Sequence, residues 1–390
     1  MVDLAGFPSM SNIHPSPSNG ALTSIPAQLP ALTQSMVRQV KRDDQIIEPT
    51  DLIPLKHLGK GAYASVDLCR LAPSGRKVAV KRLHPELVDN SHDLRDFISE
   101  CAILRKLRHP HLVEFLGVGS SEMGTPEKEL KSLYLVQEYV PDGSLRDLLL
   151  QSSVSMGQLY SYSEGLTICR DIASALAYLH SLSPRKILHR DLKPANILLQ
   201  RTSVGEGRQK VKTWHAKIAD LGLAKVIEQK ERSQRLETVK SGISDGLHQA
   251  GTKDLSGTGH TGSPLYMAPE VFKPQSSEDA VSTFVYDETA DVFSLSLIIL
   301  EVFKRQPREA FMQTEAQVNA YSAKMADGWR PELPDRWPAE LRTLIEECWH
   351  QDPSRRPSAA HVRHRLEEIR PSILKMESKK GLASWFCMSS

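Results

Sequence analysis

Between Asp191 and Asn196 the chain carries a carboxylate, the ammonium of Lys193 and a carboxamide within six positions. These groups suit one chemistry. A carboxylate orients a hydroxyl, a cation neutralises a phosphoryl group, and hard oxygen donors hold a divalent cation. The full segment is His189-Arg190-Asp191-Leu192-Lys193-Pro194-Ala195-Asn196-Ile197-Leu198, set between an apolar helical pattern and an apolar strand pattern. A run this short also arises in ordinary solvated loops, so its weight depends on what accompanies it.

Three other groups accompany it. Lys81 ends the strand-like run Val78-Ala79-Val80-Lys81, and Glu100 follows 19 positions later. Phe97, Cys101 and Leu104 surround Glu100 at helical spacing, so its carboxylate sits beside an apolar face. An unpaired carboxylate there is unfavourable, and Lys81 is the expected partner. Asp220-Leu221-Gly222 follows the strand-like Ala216-Lys217-Ile218-Ala219; alone it reads as an Asx-type turn. Leu58-Gly59-Lys60-Gly61-Ala62-Tyr63-Ala64-Ser65-Val66 lies between two strand-like runs. Its glycines let backbone close over phosphates, although Gly-x-Gly is equally at home in a plain hairpin.

The elements that must position these groups change character along the chain. Residues 1–48 are rich in Pro and Ser and show no sustained period, which predicts a disordered arm. From Leu52, β-branched runs such as Val78-Ala79-Val80 and Tyr134-Leu135-Val136 alternate with turn residues, the grammar of an antiparallel sheet. After Gly143 the period becomes helical. Leu166, Cys169, Ile172, Ala173, Leu176 and Leu179 form one apolar stripe, and Val292–Phe303, Leu341–Trp349 and Ala360–Ile369 continue the pattern. An α+β architecture is predicted. Ser120–Lys131, Gln200–Trp214 and Val226–Gly257 are polar and read as surface insertions.

Taken in order, these segments resemble the eukaryotic protein kinase family, Ser/Thr type, closest in style to the tyrosine-kinase-like group. His189 to Asn196 resembles the family's H-R-D-L-x-x-x-N, Val78 to Lys81 its V-A-I-K, and Asp220 to Gly222 its D-F-G with Leu for Phe. Gly262 to Glu270 resembles the end of an activation segment, with Arg356 matching the arginine that pairs with Glu270 and Asp291 the carboxylate anchoring the catalytic loop. The resemblance implies a two-lobed fold, with a small β-rich N-lobe (52–140) carrying one main helix and a larger helical C-lobe (141–370). A tail of 371–390 follows. It implies ATP and Mg2+ as cofactors. Asp191 and Lys193 would act on the acceptor hydroxyl and the phosphoryl group, Lys81 would grip phosphates while paired to Glu100, and Asn196 and Asp220 would hold metal. Leu58, Gly59, Gly61, Val66, Ala79, Leu198 and the backbone near Glu138 and Val140 would enclose the nucleotide, with Gln137 as gatekeeper. Lys193-Pro194 and Ser263 favour Ser/Thr acceptors on protein substrates. The activation segment carries Ser241, Ser244, Thr252, Ser256, Thr258 and Thr261, and phosphorylation near Ser256–Thr261 is expected to order it through pairing with Arg190. A pseudokinase scaffold is the alternative, suggested by Ala64, Leu221 and the insertions.

Bulk composition bounds the partners. Lys+Arg 49 against Asp+Glu 47 leaves no field that argues for nucleic acid. Five dispersed cysteines without a C-x-x-C pair predict a reduced, cytoplasmic protein, and the family resemblance implies a role in intracellular signalling. No basic-then-apolar leader and no stretch long enough to span a bilayer is expected. Cys387-Met388-Ser389-Ser390 has the outline of a prenylation box with a poor third position, and an unmodified tail is the better expectation.

Overall fold

The computed structural model describes residues 46–61, 64–72, 74–84, 91–122, 124–155, 158–204, 211–228, 264–272, 287–312 and 314–387. The chain forms two compact units. One runs through Val140 and includes Asp220–Gly222; the other comprises Pro141–Ala219 and everything from Leu223.

The first unit is an antiparallel sheet of five strands in the order β1-β2-β3-β5-β4. Its strands are β1 (Leu52–Lys60), β2 (Ala64–Leu71), β3 (Lys77–Leu83), β4 (Phe115–Ser120) and β5 (Leu133–Glu138). The period-2 alternation of β3 decides which face each residue takes. Val78 and Val80 are fully buried on one face, in a cluster with Cys69, Tyr134 and Val136, while Ala79 and Lys81 point to the other. Helix α1 (Ser91–Leu104) contributes Phe97, Glu100, Cys101 and Leu104, all buried. The strand-rich unit with one main helix is therefore present as expected.

Ser120–Lys131 is not the plain loop its polarity suggested. It contains α2 (Pro126–Lys131), and Ser120 is buried, its hydroxyl within 2.8 Å of the Glu122 and Glu129 carbonyls and 2.7 Å from Ser132 Oγ. These bonds satisfy the backbone groups that a polar insert must otherwise leave to water.

The second unit is mainly helical: α3 (Leu145–Val154), α4 (Tyr162–Ser181), α5 (Pro269–Phe272), α6 (Glu288–Lys304), α7 (Glu315–Ala326), α8 (Ala339–Cys348) and α9 (Ala359–Cys387). The predicted stripe of α4 is buried along its length, and a Ser161/Glu164 capping box starts the helix. Every residue of α6 from Ala290 to Phe303 is buried, as befits a helix apolar on all sides. Two short ladders complete the unit: β6 (Arg185–Leu188) with β9 (Lys225–Glu228), and β7 (Ile197–Val204) with β8 (Val211–Ile218).

The β7–β8 ladder corrects the second expected insertion, since Gln200–Val204 and Val211–Trp214 continue a regular hairpin. Arg201 lies opposite Trp214 with its guanidinium 4.9 Å from the ring centroid, so a cation–π pair extends the ladder where aliphatic residues stop. Of the third, Val226–Glu228 belong to β9, and the rest lies outside the described residues.

Two ends are also revised. Ile46 and Ile47, assigned to the arm, pair with Val118; residues 1–45 lie outside the described residues. The tail from residue 371 continues α9, where Ile373 is fully buried and Glu377 Oε1 accepts the Ser163 N–H at 3.0 Å. Ser163 lies in the first turn of α4, whose N–H groups have no partner within the helix. Replacing Glu377 by Ala is expected to lower unfolding free energy by ~0.5–2 kcal/mol, the scale of a lost N-terminal cap. Urea melts check this; an unchanged midpoint would mean that α9 beyond residue 370 is dispensable to the unit.

Candidate active site

In the first unit, Lys81 meets Glu100, its expected partner, and Asp220 as well. Its ammonium donates to Glu100 Oε2 at 2.8 Å and Oε1 at 3.0 Å, and to Asp220 Oδ1 at 2.9 Å. Burial alone would lower the Lys81 pKa, but Asp220 and Glu100 outweigh it, so the lysine is held charged. Glu100 is 1% exposed, whereas the Asp220 side chain is 48% exposed and opens to solvent.

The backbone at Asp220 is left-handed, with φ +60°, a conformation that asparagine and aspartate tolerate better than most residues. Asp220 Oδ1 also accepts the Gly222 N–H at 3.3 Å. A Cβ at Gly222 would sit 3.1 Å from that oxygen and 3.6 Å from Glu100 Oε2, so glycine leaves the carboxylates room. Leu221, in the place of the family's phenylalanine, is buried.

The glycine-bearing turn joins β1 to β2. Among the described residues, a Cβ at Gly59 would meet nothing within 4 Å, and one at Gly61 would make only ordinary contact with the Ala64 carbonyl, at 3.5 Å. Ala62 and Tyr63 lie outside the described residues. Val66 pairs with Lys81, Leu68 with Ala79, and Ala79 with Gln137, so these side chains share the face of Lys81. Leu58 is exposed and Val140 buried. Glu138 spends its carboxylate on the Glu114 N–H at 2.9 Å. Gln137 is buried and its Nε2 has no partner among the described residues.

In the second unit, Asp191, Lys193 and Asn196 form a compact cluster. Lys193 Nζ lies 2.7 Å from Asp191 Oδ2; Asn196 Nδ2 donates to the same oxygen at 3.0 Å and to the Asp191 carbonyl at 2.8 Å. With its amide nitrogen turned to Asp191, Asn196 presents its oxygen elsewhere. A single-turn helix, Pro194–Asn196, delivers the carboxamide, and the Ala219 N–H donates to the Asn196 carbonyl at 2.8 Å. Leu198 follows on β7, bridged to Ser144.

The loop is held from below by Asp291 at the start of α6, which is 1% exposed. Its Oδ2 accepts the His189 N–H and His180 Nε2, each at 2.9 Å, and its Oδ1 accepts the Arg190 N–H at 2.9 Å. Burial pushes the Asp291 carboxyl up, but these donors and the neighbouring imidazoles outweigh it and hold it below its ordinary value. Arg190 adopts φ +68°, a backbone state that this pair of N–H anchors helps to maintain.

Glu270 and Arg356 form the bidentate pair suggested by sequence, at 2.6 and 2.8 Å, and Arg356 also donates to the His350 and Thr289 carbonyls. Sequence reasoning passed over a second buried charge site. Glu301 accepts the Tyr266 hydroxyl at 3.0 and 3.1 Å and Arg308 Nε at 3.0 Å. The signal was present: Glu301 is the one charged residue in the apolar run from Val292 to Phe303. Ser263 and the six hydroxyls from Ser241 to Thr261 lie outside the described residues.

Each unit carries a hard oxygen donor suited to a divalent cation: in the first, the solvent-facing carboxylate of Asp220, and in the second, the carboxamide oxygen of Asn196. Among the described residues no group of three or more His, Cys, Asp or Glu forms an all-protein cage. Mg2+ is commonly held by one or two protein oxygens, with water and phosphate completing the shell.

Residues 53–366 match the family model described as protein kinase domain. Among curated proteins, the chain is 33% identical over 319 residues to serine/threonine-protein kinase 12 of Arabidopsis thaliana, covering 82% of this chain and 56% of that protein. It is 33% identical over 336 residues to serine/threonine-protein kinase VIK of the same plant, 85% of this chain and 64% of that one. Dual specificity protein kinase shkB of Dictyostelium discoideum is 30% identical over 306 residues, 78% of this chain and 38% of that protein. The chain thus spans less than two thirds of the length of each of these relatives. Among the described residues no helix is long and apolar enough to cross a membrane.

Proposed function

Because the chain belongs to the protein kinase family, we propose that it transfers the γ-phosphoryl group of ATP to Ser and Thr hydroxyls of protein substrates. The observation that carries this reading is the Asp191–Lys193–Asn196 cluster seated on buried Asp291. Phosphoryl transfer has a loose transition state, so what a protein contributes is positioning and charge neutralisation. Asp191 orients the acceptor hydroxyl and takes its proton. Lys193, 2.7 Å from that carboxylate, offsets the negative charge of the group in transit. In the first unit Asp220 would hold Mg2+, Lys81 the phosphates, and Leu58, Gly59, Gly61, Val66, Ala79, Glu138 and Val140 the rest of the nucleotide; in the second, Asn196 would be a Mg2+ ligand and Leu198 a contact for the base. Bound Mg–ATP supplies the phosphoryl group and screens its charge.

Lys193-Pro194 supports Ser/Thr acceptors, and two of the three relatives above carry serine/threonine in their names. The third is named dual specificity, so tyrosine is the acceptor that must be tested. Labelled ATP offered with matched Ser, Thr and Tyr peptides should label the first two and not the third. Equal labelling of Tyr would make the enzyme dual-specificity, and labelling of none would favour the scaffold reading. We place the protein in the cytoplasm, in intracellular signalling; the free, buried thiols of Cys69, Cys101, Cys169 and Cys348 support a reducing compartment.

A further inference from the structure

The kinase family match begins at residue 53, yet the residues just before it are tied to the sheet: Ile46 bridges to Val118, and Pro49–Asp51 form a single 3-10 turn that leads into β1. We propose that Ile46–Asp51 is a strap that positions Lys81 from the opposite face of the sheet, with Ile47 and Tyr134 as positioning residues. Only the nucleotide readout of this proposal rests on the kinase reading.

The strap is fastened at both ends. The Ile47 N–H donates to the Val118 carbonyl at 2.9 Å, and the Tyr134 hydroxyl donates to the Ile47 carbonyl at 2.7 Å. At its other end the Ala72 N–H donates to the Asp51 carbonyl at 2.7 Å. Between these points Ile47 packs on the buried cluster of Leu52, Cys69, Val78, Val80, Tyr134 and Val136.

The seat is specific. A Cβ at Gly119 would lie 2.2 Å from the Ile47 carbonyl oxygen and 2.3 Å from the Tyr134 hydroxyl. Gly119 is therefore required by the close approach of the strap, since nothing in its backbone conformation asks for glycine. Both features are absent from a sheet face left to water: a carbonyl sunk against a glycine, and a buried tyrosine hydroxyl with that carbonyl as its acceptor.

Pleating carries the effect to the other face. Tyr134 stands opposite Arg82 and Val136 opposite Val80, whereas Lys81 stands opposite Leu135. The two neighbours of Lys81 on β3 are thus clamped on the strap side, Val80 by burial and Arg82 by its guanidinium 5.2 Å from the Tyr134 ring. Lys81 then reaches the far side, where its ammonium holds two carboxylates within 3.0 Å at once. A shift in β3 stretches one contact or the other.

The test uses the full chain with Tyr134→Phe, which removes one hydroxyl, and Gly119→Ala, which blocks the seat. Amide hydrogen exchange is followed at Ile47, along Val78–Arg82 and in α4, and Mg–ATP affinity is measured by titration. Gly119→Ala is expected to speed exchange at Ile47 and in β3 by about tenfold or more, with α4 unchanged and the Mg–ATP Kd raised about threefold or more. Tyr134→Phe should move the same readouts in the same direction by less, and it decides alone if Gly119→Ala does not fold. Loosening at Ile47 with β3 exchange unaltered would overturn the proposal, as would unaltered exchange at Ile47 itself. If wild type binds no Mg–ATP, the kinase reading falls while the exchange comparison still judges the strap.

Discussion

Asp191→Asn is expected to cut transfer of phosphate to a Ser peptide by at least ~10²-fold, the scale of a lost acid–base group, while Mg–ATP still raises Tm. The substitution is nearly isosteric. The Asn196 bond to the residue 191 carbonyl, at 2.8 Å, uses backbone and survives, so the loop keeps one of its two ties. What disappears is the basic carboxylate that takes the proton and the negative charge that faces the Lys193 ammonium at 2.7 Å. Nucleotide affinity should change little, because Lys81, Glu100 and Asp220 are untouched. Single-turnover assays with labelled ATP, beside a thermal shift titration, separate the two effects. Equal transfer by wild type and variant would mean that the activity belongs to a contaminant or that Asp191 is not the base, and would favour a scaffold.

That experiment addresses residues whose placement was readable before any coordinates. Glu100 announced its partner because a carboxylate among Phe97, Cys101 and Leu104 is untenable alone, and the lysine supplying the charge had to come from a strand. The α4 stripe and the apolar α6 were equally open to inspection, since a 3.6-residue period or its absence is a property of side chains. Backbone-mediated structure was not. The strap works through the N–H and carbonyl of Ile47, and no residue type in Ile46–Asp51 reports where those groups go. The β7–β8 extension was hidden for a different reason. Beyond Leu199 and Ala216 its residues are polar apart from Trp214 and the terminal pair Val204 and Val211, and the Arg201–Trp214 stack within it has no periodic signature. The domain end was placed at residue 370, but α9 continues past it and through Pro371, with Ile373 buried. The boundary was misplaced because tertiary packing overrode a local breaker.

Asp291→Ala should be the most disruptive single change in the second unit. It removes the acceptor for three donors at once: the N–H groups of His189 and Arg190, and His180 Nε2. Breaking a buried charged contact by deleting one partner is worth ~3–5 kcal/mol, a large share of the ~5–15 kcal/mol that usually holds a domain folded. Arg190 would also lose the anchor of its left-handed backbone, so Asp191 would no longer be presented in one orientation and transfer should fall with stability. The pH dependence fixes the sign. The Asp291 carboxyl is held below its ordinary value near 3.8, so its contribution is present above that pH and is lost as pH falls through the lower folded value. Wild type should therefore shed part of its stability on acidification below about pH 4, and the Asp291→Ala chain should lack that part of the slope. Urea midpoints measured across pH, on chains shown to be folded at pH 7, test both statements. A variant as stable as wild type at neutral pH, with an unchanged acid limb, would show that the catalytic loop is held by something other than this carboxylate.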